Sequence, residues 1–110
     1  EKIDIKDSRL TPGNYLRYNK FLLDEKININ DKLILNLEKL FKLNKLKKDV
    51  EYLNFAIYLV DQYYFSKSIN SAKIDNINSQ RINIIKKIHR SSKLNLNHNN
   101  LLVEIENYIQ

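Results

Sequence analysis

The sequence predicts an all-α fold: a single domain over residues 1–110, with four to five helices packed around a central buried helix at about 46–65. Three observations predict it. One Gly and one Pro in 110 residues are too few for an all-β domain, which needs turn residues at roughly every 8–12 positions. Leu46, Val50, Leu53, Ile57, Val60 and Tyr64 recur at alternating steps of four and three, an unbroken apolar seam on a helix. Tyr52, Phe55, Ala56, Leu59 and Tyr63 form a second row beside it, leaving Glu51, Asn54, Asp61 and Gln62 as a narrow polar stripe. A helix apolar over most of its circumference must be enclosed by other elements. Burial of about ten such side chains is worth roughly 15–30 kcal/mol before entropy is subtracted.

The elements follow in order. Residues 1–10 read as a polar, extended arm. Thr11-Pro12 is a helix start, a hydroxyl cap followed by proline at the first helical position. It opens a helix near Asn14–Asp24, with Tyr15, Tyr18, Leu22 and Leu23 facing inward. After the linker 26–31, Asn30 caps a second helix over about Asp31–Leu43, and Ile29 and Ile34 form a hydrophobic staple across that cap. Its core face is Leu33, Ile34, Leu37, Leu40 and Phe41, and Asn44 ends it. The short step to the central helix implies antiparallel neighbours. Residues 66–78, rich in Ser and Asn, read as a loop with one weak helical turn. Ser79 then caps a fourth helix to about Ser91, burying Ile82, Ile85 and Ile88 with Ile84 alongside. A connector over 91–100 leads to the last helix, His98–Ile109, with Leu96 and Leu101 as a second staple. Leu101, Leu102, Ile105, Tyr108 and Ile109 face inward on it. The similar connectors KIDIKD, KININD and KLNLNH read as extended lead-ins that pin the next helix, not as strands.

Several function classes are excluded. Cysteine is absent, which rules out disulfides and thiolate chemistry and selects no compartment. No apolar run approaches the ~20 residues of a membrane span, and no signal-peptide pattern opens the chain. A start at Glu1 with no Met anywhere reads as a piece of a longer protein, and the surplus of Asn, Lys and Ile as the codon bias of an AT-rich genome. His89 and His98 are the only histidines and stand at no metal-ligand spacing with other donors. Gly13 alone cannot supply a phosphate loop or a nucleophile elbow. Asp61 on the central helix is the one acid placed to act as a buried base. It shares the polar stripe of Glu51 and Asn54, however, and reads better as a solvated edge or a partner for a tyrosine hydroxyl. The sequence therefore predicts no enzyme, no cofactor and no metal.

Charge is unevenly spread over a chain of net +6 and pI about 9.5. Residues 1–38 balance to zero, while 39–48 carry +5 from Lys39, Lys42, Lys45, Lys47 and Lys48. A second +5 block, 76–103, holds Arg81, Lys86, Lys87, Arg90 and Lys93 and contains no acid. Two such blocks are an electrostatic footprint for nucleic acid or for an acidic peptide. No aromatic interleaves with the second block, which removes the stacking platform that single strands require. Seven tyrosines supply candidate interface anchors. Tyr58 interrupts the polar stripe of the central helix and is the best candidate for an exposed one.

Asp7-Ser8-Arg9-Leu10, Lys26-Ile27-Asn28, Leu37-Glu38-Lys39-Leu40 and Ile85-Lys86-Lys87-Ile88-His89-Arg90 occur in an order that resembles the TFIIS N-terminal-domain class, especially the integrase-binding domain of lens epithelium-derived growth factor. The resemblance implies a basic five-helix bundle that binds short motifs of disordered partners. It places the acid that anchors partner backbones in that class at Asn28, and the aromatic anchor of its last loop at Ser91, beside Leu94. The expectation is a non-enzymatic protein-interaction module with Asn28, Tyr58, Ser91 and Leu94 as partner contacts. The alternative is binding of a nucleic-acid backbone through the two basic blocks. A self-associating piece of a structural protein is a third reading.

Overall fold

The computed structural model describes residues 10–69, 74–94 and 98–109. It contains five helices: α1 (Pro12–Asp24), α2 (Leu33–Lys47), α3 (Glu51–Ile69), α4 (Ile74–Leu94) and α5 (His98–Ile109). No strand occurs among the described residues, so the all-α fold expected from the sequence is the fold found. The arm expected over 1–10 lies, apart from Leu10, outside the described residues. The helices fall into two units, Glu1–Lys32 and Leu33–Gln110.

In the first unit the expected cap is present. Thr11 Oγ1 accepts from Asn14 N–H at 3.1 Å, and Pro12 occupies the first helical turn, where a missing N–H loses no hydrogen bond. Tyr18 and Leu22 are buried, whereas Leu23, expected inward, is exposed. The last helical bond runs from Glu25 N–H to Phe21 O, and Ile27 N–H then donates to Leu22 O in the 6→1 bond of a Schellman-type stop, both at 3.0 Å. Lys26 holds the left-handed position, φ 55°, where glycine is usual. The linker 26–31 then turns instead of running extended: Asn28 Oδ1 accepts from Asn30 N–H at 2.9 Å, and Asn28 O from Asp31 N–H at 3.0 Å.

The second unit is a four-helix bundle. Leu37, Leu40 and Phe41 of α2 are buried as the spacing predicted, and so is Asn36. Asn44 does not end α2. Its side chain donates to Asp49 O at 2.9 Å, and the helix runs on to Lys47. Lys48, at φ 53°, makes the break, and Asp49 Oδ1 accepts from Glu51 N–H at 3.0 Å to start α3. The stop and the cap use up residues 48–50. Leu46 therefore falls on α2 and Val50 in the cap turn, and both, expected at the head of the apolar seam, are exposed.

From Tyr52 onward most of the two expected rows are buried, although Ile57 and Tyr63 are half-buried. Tyr52, Leu53, Phe55, Ala56, Tyr58, Leu59, Val60 and Tyr64 are buried, covering most of the circumference of α3 and making it the enclosed helix of the bundle. α3 continues to Ile69, and α4 begins at Ile74, inside the stretch expected to be a loop. Its core stripe is Ile84, Ile88 and Ser91, while Ile82 is exposed. Two residues on from Ile82 at about 100° each, Ile84 lies on the far side of the helix, so only one of the two can face inward. On α5, Leu101 and Ile105 are buried. Leu96 and the side chains of Tyr108 and Ile109 lie outside the described residues.

α3 packs against α2 on one side and α4 on the other, and α5 packs against the same two helices. The order around the bundle is therefore α2, α3, α4, α5, with α2 and α4 on one diagonal. A left-handed lysine costs about 1 kcal/mol relative to glycine. Lys48→Gly is accordingly expected to stabilise the bundle by about that amount and raise its melting temperature by about 4 °C, as read from thermal unfolding by circular dichroism.

Candidate functional site

Asp61, the acid most open to a catalytic reading, sits half-exposed on α3 and accepts from Arg81 Nη1 of α4 at 2.8 Å. Its partner is thus an arginine on the next helix, not a tyrosine. At this exposure the pair is worth at most about 1 kcal/mol, a stitch between α3 and α4. Lys87 pairs with Glu104 of α5 at 2.6 Å, on the other flank of α4. Among the described residues no group of three His, Cys, Asp or Glu side chains gathers to hold a metal ion. None of the helices is long and apolar enough to cross a membrane among the described residues.

The four candidate partner contacts do not form one exposed patch. Asn28 is exposed in the first unit, and its side-chain oxygen is engaged in the turn to Asn30. Tyr58 is buried, 7% exposed, which corrects its expected exposure. Its ring stacks on Phe55 with centroids 6.3 Å apart, and its hydroxyl accepts from Gln62 Nε2 one turn on. The sequence pattern hid this because a tyrosine in a polar stripe can bury its ring while its hydroxyl meets the stripe itself. Ser91 lies within α4, not in a connector, and is 4% exposed. Its Oγ finds no hydrogen-bond partner among the described residues. Leu94 is the last residue of α4, and its side chain lies outside the described residues.

The cations sort into two kinds. Arg81 and Lys87 are held by carboxylates of neighbouring helices. Lys42 pairs with Glu38 one turn back at 3.0 Å, and Lys47 Nζ lies 5.9 Å from the centre of the Tyr52 ring. By contrast Lys86, Arg90 and Lys93 are exposed at i, i+4 and i+7 of α4, opposite its core stripe. Ser79, Ile82, Asn83 and His89 on the same outer face are also exposed, and no acid stands between Ser79 and Lys93 on α4. Lys39, Lys45 and Lys48 are exposed on and just beyond α2.

Leu35 and Leu46 were missed as surface residues. They stand at i and i+11 on the outer line of α2, with Lys39 and Lys42 between them at i+4 and i+7, and both are exposed. The signal was present. Leu33, Leu37, Leu40 and Phe41 already fill the inner face, so these two leucines have to lie on the other. No protein-family model, curated protein or solved structure matches the chain.

Proposed function

We propose that this protein is a non-enzymatic protein-interaction module that docks an acidic segment of a partner protein on the outer face of α4. The observation that carries the reading is the sorting of charge on that helix. Cations on its flanks are matched by carboxylates from α3 and α5, while Lys86, Arg90 and Lys93 face solvent in a row with no acid among them. Over seven residues that row spans about 10 Å. This is a positive edge that attracts an acidic chain and raises its association rate. A basic five-helix bundle of the kind implied by the resemblance to the TFIIS N-terminal-domain class accords with the same role. The outer face carries no Phe, Tyr or Trp for base stacking, which disfavours single-stranded nucleic acid.

The test is a fluorescence-anisotropy titration with an acidic peptide and with a duplex oligonucleotide, each over a range of salt. The expected result is that the peptide binds, and that the triple variant Lys86→Gln, Arg90→Gln, Lys93→Gln loses at least about tenfold in affinity, about 1.4 kcal/mol. Lys87→Gln, which removes a cation already paired, should change affinity far less. Tighter binding of the duplex, weakening with a log–log salt slope near the three cations of the row, about −3, would move the reading to phosphate-backbone binding.

A further inference from the structure

We infer that the bundle is two-sided: a second acidic segment docks on the outer face of α2, pointing away from the first. This rests on the reading of the α4 face just given and extends it to a second site. The two basic blocks read along the sequence as one footprint. In the fold they belong to helices on one diagonal of the bundle, separated by α3 and α5.

Both helices direct their buried residues inward, Leu37 and Leu40 from α2, Ile84 and Ile88 from α4. Their outer faces therefore point in opposite directions. A short straight ligand seated on Lys86, Arg90 and Lys93 cannot reach Lys39 and Lys45. The two faces also differ in chemistry. Apart from Ile82, the α4 face is polar and basic. The α2 face sets Lys39 and Lys42 between Leu35 and Leu46, which are about 16 Å apart along the helix. The occupant that complements this line is an acidic segment with an apolar residue on either side of its acids. Lys42 is shared with Glu38, so the α2 face attracts acids less strongly than the α4 face.

The test is calorimetric titration of the chain with a short oligoglutamate peptide at low salt, with amide chemical shifts followed in parallel. The expected result is two peptides per chain, the weaker one on α2, with shifts moving on both α2 and α4. The triple substitution on α4 should leave one peptide bound. Lys39→Gln with Lys42→Gln should also leave one, now on α4, and the combined variant none. These are exposed positions, and unchanged far-ultraviolet circular dichroism will confirm that the helices persist. One peptide per chain, abolished by the α4 substitutions alone, overturns the second site and leaves the first. No binding of the peptide to the unaltered chain overturns both.

Discussion

Ile84→Asp is expected to unfold the protein, whereas Ile82→Asp, two residues earlier on the same helix, leaves it folded. Ile84 is fully buried and Ile82 is 42% exposed. A carboxylate at position 84 would be enclosed among apolar side chains. Whether it stays charged or takes up a proton, the loss exceeds about 4 kcal/mol, most of the stability of a domain this size. At position 82 the new acid stands one turn before Lys86 on the exposed face, an arrangement that stabilises helices by about 0.3 kcal/mol. Urea unfolding followed by circular dichroism checks the pair. The register of α4 is wrong if the two variants melt alike. Ile82→Asp has a further use, since it places a negative charge on the docking face and should weaken an acidic ligand without harming the fold.

A second contrast falls on α3. Phe55 is fully buried and stacks on Tyr58, while Phe65 on the same helix is half-exposed. Phe55→Ala removes a large ring from an enclosed site and leaves a cavity, an expected loss of about 3–5 kcal/mol. Phe65→Ala removes the same atoms from a surface that water already reaches and should cost under about 1 kcal/mol. Equal losses from the two substitutions, measured as a shift in urea midpoint at constant slope, would contradict the enclosure of α3.

These pairs also mark where the sequence was legible. Spacing located the enclosed helix because its apolar rows reinforce one another, and seven of the positions in them are buried. It located the α1 cap because Thr-Pro has one strong local meaning. It also located the end of α1 at Asp24 and both ends of α5, His98–Ile109. It missed the end of α2, which stops at Lys48 in left-handed geometry, because in a chain with one glycine the usual stop signal is missing. The start of α4 was hidden because Ser and Asn favour turns by propensity, yet Ile74, Ile77, Ile84 and Ile88 carry a helical spacing through them. The basic blocks were legible as charge. Their division between paired and solvent-facing cations was not, because Asp61–Arg81 and Lys87–Glu104 join residues far apart in the chain.

The place of α5 sets the order in which the molecule assembles. α2 with α3, and α3 with α4, are joined by neighbouring segments and close early. The α2–α5 interface joins stretches roughly sixty residues apart, which pairs late because of the chain entropy lost in bringing them together. α5 is thus expected to act as a latch, the last helix to seat and the first to lift. When it lifts, the groove between α2 and α4 loses its cover. The amides of Leu101 and Ile105 should therefore exchange with solvent well before those of Phe55 and Val60.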